Sequence, residues 1–250
     1  MKDFVRCLHA DFIKVRRRPV FWVHILVPLI GIIFLLLNCA LSKHSPGSDA
    51  LSCLGAIAVT FPTLIGIVCS MIADQEAEAG NYQWLLKAPF KLRPFQSISV
   101  LLLLLGLGAT LFTAFGFEVG FYVILHRMPF GPDFYLFGAL LVFGSNVFLY
   151  FLHLFLSLRF NKGISIGVGI VESLLSALLI TGLGDGKWIF IPCAWGLRFL
   201  KMYGTCSLDG AIPASYGLQT GIAFCLIETI LMFIISFVWF ICWEGKKTEE

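Results

Sequence analysis

Apolar positions along this chain gather into six long runs, and nearly every Lys and Arg falls outside them. The runs are Pro19–Leu41, Leu51–Ala73, Ser97–Leu125, Phe134–Leu158, Gly163–Leu183 and Leu218–Trp243. Each reaches the ~20 residues that a helix needs to cross a ~30 Å hydrocarbon core. The pattern predicts an all-α polytopic membrane protein: a six-helix transmembrane domain over 19–243, preceded by an arm at 1–18 and followed by a tail at 244–250. Composition leaves no soluble alternative. With 58% hydrophobic and 13% charged residues, against about 25% charged in an average globular chain, there is too little polar surface to solvate a folded ball of 250 residues.

Ahead of the first run, Phe4, Leu8, Phe12 and Val15 recur at helical spacing while Lys2, Arg6, Lys14 and Arg17 keep to the polar faces. This predicts an amphipathic helix lying in the membrane interface, its apolar side against lipid. The arm is too polar for the core of a signal peptide, so the first run is expected to stay in place as an anchor.

Charge then orients the chain. Lys and Arg crowd the arm, the second loop (Lys87, Lys91, Arg93), the fourth loop (Arg159, Lys162) and the tail (Lys246, Lys247), leaving Lys43, Arg127, Lys187, Arg198 and Lys201 on the other side. The positive-inside rule puts both termini in the cytoplasm, and an even number of spans agrees. The net charge of +3 reflects this topology and implies no nucleic-acid partner.

Candidate chemistry within the runs is sparse. Three carboxylates, Glu118, Glu172 and Glu228, fall inside spans, where a charge is costly and must face the bundle interior or water. They are candidates for a substrate path or an interface. Glu172 is expected to matter most, because its helix also carries the small-residue pairs Gly163-x-x-x-Gly167 and Ser165-x-x-x-Gly169. Gly116 and Gly120 form another such pair. These spacings let two backbones approach, either within the chain or between subunits. Pro28 and Pro62 predict kinks in the first two helices. The eight cysteines include no C-x-x-C pair, so no metal site is expected. Cys193 and Cys206 share one outer segment, as a bridge or as two free thiols.

Enzymatic readings fail on their own requirements. Gly182-Leu183-Gly184-Asp185 spells the GxGD of intramembrane aspartyl proteases, but that chemistry needs two facing aspartates, and no second one lies in a span. The segment reads as a turn. There is no H-E-x-x-H and no P-loop, so ATP and Mg, if used, are expected on another chain, with no cofactor bound here.

The most informative polar segment is the second loop, 74–94, DQEAEAGNYQWLLKAPFKLRP. Acidic Asp74, Glu76 and Glu78 come first, then a helical stretch with Tyr82, Leu85 and Leu86 on one side, then Pro89 and the basic Lys91 and Arg93. Acid in front and base behind complement a short helix's dipole. By itself this is either a docking helix or a solvated connector. Glu76 and Gly80, followed by Gln83, Leu85, Leu86 and Pro89 with a basic residue just beyond, resemble the loop between the second and third helices of ABC-2 type exporter permeases. Within that fold the chain is similar to permease subunits of lantibiotic-immunity transporters. The features are Asp11-Phe12-Ile13-Lys14 before the first span, and Ile191-Pro192-Cys193-Ala194-Trp195-Gly196-Leu197-Arg198 in the last outer segment, 184–214.

The resemblance implies a half-transporter of the cell membrane. Its permease would pair with a second homologous permease, usually as a heterodimer of E and G types, and would sit above two copies of a separate ABC ATPase. The substrate would be an antimicrobial peptide expelled from the membrane, conferring immunity or resistance. The 74–94 loop would then be the coupling loop, with Leu85 and Leu86 entering a groove of the ATPase and Glu76 and Glu78 at the rim. Another drug or lipid substrate is the nearest alternative. A non-transporting receptor or assembly factor is the alternative of a different class.

Overall fold

The computed structural model describes residues 2–42, 44–210 and 217–245, and contains helices and no strand among them. Lys43, Lys246 and Lys247, used above for orientation, lie outside the described residues, as does 211–216 of the expected outer segment. The arm is α1 (Lys2–Arg16), followed by α2 (Pro19–Leu41) and α3 (Pro46–Glu78). A five-residue α4 (Gln83–Lys87) leads into α5 (Leu92–Leu125). Next come α6 (Pro132–Ser145), α7 (Val147–Arg159) and α8 (Lys162–Leu179). Two 3-10 turns join α8 to α9 (Pro192–Asp209), and α10 (Leu218–Cys242) ends the bundle. Proline opens α2, α3, α6 and α9, where its missing N–H breaks no helix bond.

Helices α2, α3, α5, α8 and α10 are each long and apolar enough to cross a membrane. Helices α6 and α7 pass that test only as a pair, bent by about 40°, which gives six candidate spans when the pair is taken as one. The fourth apolar run is therefore broken. While α2 and α3 continue through Pro28 and Pro62, the break falls at Asn146. There the Asn146 side-chain amide donates to the Val142 carbonyl at 2.7 Å and the Ser145 hydroxyl donates to Leu141 at 2.7 Å. Side chains thus satisfy carbonyls at the break that lipid could not.

Other boundaries move as well. Helix α3 has 33 residues, about 50 Å at 1.5 Å per residue, so it outruns a ~30 Å core. Asp74, Glu76 and Glu78 are its last turns, not the front of a loop helix. The arm also differs from expectation. It packs on α5 through a face holding Asp11 and Val15, both buried, with Leu8 partly covered, while Phe12 points outward. One face of the arm is thus held by protein, not by lipid.

Helix α3 is the hub, packed against α7, α8 and α9. Its crossing with α8 is close because small residues meet there. A Cβ on Gly66 would lie 2.8 Å from the Ser165 carbonyl, and one on Gly169 would lie 2.8 Å from the Pro62 carbonyl. Thr63 adds hydrogen bonds, its backbone N–H to Ser173 Oγ at 3.1 Å and its hydroxyl to the Gly169 carbonyl at 3.1 Å. Gly116 and Gly120 receive Ile32 and Leu36 of α2. Gly163 and Gly167 do not pack within the chain. Both are exposed, and a Cβ on Gly167 would meet nothing within 4 Å.

The segment after α8 is folded. Arg198 of α9, buried, donates to the Leu179 carbonyl at 2.7 Å, to Thr181 at 2.7 Å and to Asp185 Oδ1 at 2.8 Å. A guanidinium thereby takes carbonyls left free at a helix C-terminus. Asp185 sits in a turn as this ion pair's acceptor. Cys193 and Cys206 are both free and lie on one helix. Thirteen residues apart, they are separated by about 20 Å, well outside disulfide reach.

Candidate functional site

One end of the bundle, the arm end, carries α1, the 74–94 loop, the α7–α8 link and the last turn of α10. The carboxylates that finish α3 sit at a helix C-terminus, where the dipole disfavours negative charge, and each finds a cation on a different element. Asp74 pairs with Lys162 at the start of α8 at 3.4 Å, Glu76 with Lys14 of the arm at 3.4 Å, and Glu78 with Arg18 between α1 and α2 at 3.8 Å. Farther along, the Lys91 ammonium donates to the carbonyls of Ile241 (2.8 Å) and Trp243 at the end of α10. The 74–94 loop is therefore tied to the arm, to α8 and to α10 at once.

The loop's interior is fixed by a left-handed turn. Gly80 (φ 122°), Asn81 (φ 50°) and Tyr82 (φ 64°) reverse the chain between α3 and α4. That conformation is open to glycine and tolerable for asparagine, but unusual for tyrosine. Tyr82 is held in it by packing, buried with its ring 5.2 Å from Trp243. Burial, with Asp74 nearby, pushes the Tyr82 phenol pKa up.

The expected docking face is thus redistributed. Leu85 is fully buried in the chain's own core and cannot enter a groove elsewhere; Leu86 is partly covered. Glu76 is buried beside Lys14, so of the expected rim pair only Glu78 is exposed. What the loop presents is Trp84, 50% exposed, and Phe90, 59% exposed, with Gln83, Lys87 and Pro89 between and around them. Neither aromatic was singled out from sequence. The signal existed, because in a five-residue helix a buried Leu85 forces Trp84 to another face.

Deeper in the bundle, Glu172 meets a partner that sequence reasoning missed. His153 of α7 is fully buried, its Nε2 2.8 Å from Glu172 Oε2 and its Nδ1 3.0 Å from Ser165 Oγ. The Ser165 hydroxyl also donates to the Gly66 carbonyl at 3.2 Å. The imidazole thus bridges Ser165 and Glu172, giving the carboxylate a polar partner inside the bundle, as an ionisable group at this depth requires. Ser165 and Glu172, two turns apart on α8, marked the face where a histidine could reach both. Glu118 and Glu228 are partly exposed, and neither makes a hydrogen bond or ion pair among the described residues.

A cavity of about 440 Å³ lies between α2, α3 and α5, lined by Pro28, Gly31, Phe61, Leu64 and Thr110 among mostly apolar neighbours. Most of its polar side chains bond within their own helices, His24 to the Val20 carbonyl and Thr60 and Thr110 to carbonyls one turn earlier, and Tyr150 also lines it. Among the described residues no three His, Cys, Asp or Glu side chains gather as metal ligands.

These features define a polytopic all-helical membrane protein with its polar machinery concentrated at one end. The family model described as ABC-2 family transporter protein matches residues 7–177, and the chain belongs to that family. The match runs from the arm through most of α8 and takes in the whole 74–94 loop. No curated protein and no solved structure matches the chain. Membership makes it a membrane transport subunit, a permease of the ABC-2 type, and implies an ABC ATPase as its partner.

Proposed function

We propose that the chain is one half of an ATP-driven exporter that clears lantibiotic-like antimicrobial peptides from the cell membrane, with the 74–94 loop as its contact to the ATPase. The observation that carries this reading is the contrast inside the loop. Tyr82 and Leu85 are buried while Trp84 and Phe90 project. Exposed aromatic anchors on a buried frame are what protein interface centres are built from. In this reading the arm end faces the cytoplasm, both termini lie there, and ATP and Mg are held by two copies of the ATPase.

The second permease subunit has a natural place on α8. Its outward face holds Gly163 and Gly167 with Ile164, Ile170, Val171 and Leu174, all exposed, an arrangement that suits close helix pairing. The peptide assignment rests on the sequence resemblance, and Glu172 enters it already partnered by His153 at 2.8 Å, not as an unpaired group awaiting a cationic peptide. A lipid or apolar drug is a second reading, favoured by the mostly apolar cavity between α2, α3 and α5.

The test is growth of cells carrying the complete transporter in the presence of a lanthionine-containing peptide. Resistance should vanish in the Trp84→Glu/Phe90→Glu double variant while the permease stays in the membrane. Unchanged resistance in that variant refutes the loop as the contact. No resistance even in the wild type, with export of a fluorescent lipid instead, moves the substrate to the second reading.

A further inference from the structure

The arm has an unexplained feature. An amphipathic interfacial helix has no reason to bury an aspartate, yet Asp11 is 2% exposed, and Glu76, the carboxylate beside it, is 4% exposed. The groups around them come from three elements. Lys14 Nζ lies 3.2 Å from Asp11 Oδ1 and 3.4 Å from Glu76 Oε1. The Ser97 hydroxyl of α5 donates to Asp11 Oδ2. The same Lys14 ammonium sits 5.1 Å from the centroid of the Trp84 ring on α4, within the range of a cation–π attraction.

We propose that Lys14 is a positioning residue that clamps the arm to the root of the 74–94 loop, so that arm, loop and α5 move as one lever. The argument rests on the reading of that loop as the ATPase contact, but the clamp itself is a property of this chain alone. Two buried carboxylates on different helices repel, and one ammonium between them turns the repulsion into a three-centre attraction. Removing one member of such a group leaves a buried charge unpaired. The clamp is reachable from outside because the Trp84 ring that the ammonium touches is half exposed. A partner that engages Trp84 therefore acts on the residue that ties α1 to α3, with α5 joined to α1 through the Ser97–Asp11 hydrogen bond. Lys14 itself keeps 38% of its side chain exposed, which lets its head shift between partners without breaking the bundle.

The test uses the full permease assembled with its ATPase in lipid nanodiscs. Spin labels on non-canonical residues replace Val5 on the arm and Ala79 at the end of α3, both exposed, and leave the cysteines native. In the wild type the arm-to-loop distance should be narrow and identical without nucleotide and after trapping with Mg-ATP and vanadate. Lys14→Met should broaden it at least two-fold and separate the two states, and should lower ATP-driven turnover by about ten-fold, a usual size for coupling between sites. Lys14→Arg should keep the distance narrow. The swap Lys14→Glu/Glu76→Lys should restore the wild-type distance and most of the turnover, which a purely structural lesion would not permit. An unchanged narrow distance in Lys14→Met, or a swap that fails to restore it, overturns the proposal. The distance without nucleotide needs no docking, whereas loss of the ATPase is read separately by its co-purification, so the two readings fail independently.

Discussion

The two ends of the bundle solve the same problem, charge beside a membrane, in opposite ways. At the far end Arg198 is buried and makes three hydrogen bonds of 2.7–2.8 Å that lock α8 to α9. At the arm end the cations are long, half-exposed side chains at 3.2–3.8 Å from their carboxylates. Pairs of the first kind are costly to break. Of the second kind, Arg18–Glu78 and Lys162–Asp74 exchange partners cheaply, since exposed ion pairs contribute about 0–1 kcal/mol, whereas Lys14 sits between two buried carboxylates. One end is a fixed plug and the other a linkage that moves as one lever edged by loose pairs, an asymmetry that suits a transporter driven from one side.

The largest effect expected from breaking this contrast is at Arg198. Arg198→Ala leaves two carbonyls and the exposed Asp185 without a donor, and should lose about 3–5 kcal/mol of stability, since each carbonyl bond to a charged group contributes about 1.5–3 kcal/mol. Thermal unfolding in detergent should show a clear drop, and Arg198→Lys should recover only part of it, because a single ammonium cannot reproduce the fork.

Next comes a pair of glycines two residues apart on α8. Gly169→Leu drives a side chain into the Pro62 carbonyl of α3 and should destabilise the permease alone by about 1–3 kcal/mol. Gly167→Leu meets open space within the chain, so it should leave thermal stability unchanged and weaken pairing with a second permease, seen as loss of co-purification of a differently tagged partner subunit. The smallest effect belongs to the Arg18–Glu78 pair, 49% and 71% exposed. Arg18→Ala should shift stability by less than about 1 kcal/mol, measured in the same unfolding assay.

Much of the fold was legible in the chain. Apolar length alone places α2, α3, α5, α8 and α10, because membrane helices must satisfy their backbones internally. Two features were hidden for physical reasons. Asn146 and Ser145 are too few to interrupt a hydropathy pattern, yet they make a break tolerable by bonding the carbonyls behind it. Helix α9 reads as an outer loop because Arg198 and Lys201 interrupt its apolar residues, and only the folded chain reveals that Arg198 faces a helix end. At the candidate site, the right segment was legible but its inward and outward faces were not. Leu85 and Trp84 are neighbours, and which of them turns inward is decided by the left-handed turn at Gly80–Tyr82 and by the Trp243 ring. His153 escaped notice as one histidine in an apolar run, although it stood opposite Ser165 and Glu172.

The central claim is that the linkage end takes its drive through Trp84 and Phe90. The most direct measurement is co-purification of the ATPase with tagged permease carrying Trp84→Glu/Phe90→Glu, beside Leu85→Asp as a contrast. The double variant should keep wild-type thermal stability and membrane abundance yet lose the ATPase by at least about ten-fold, as expected when interface anchors are removed. Leu85→Asp, which buries a charge in the core, should instead lower stability first. A double variant that retains its ATPase at the wild-type level would contradict the account.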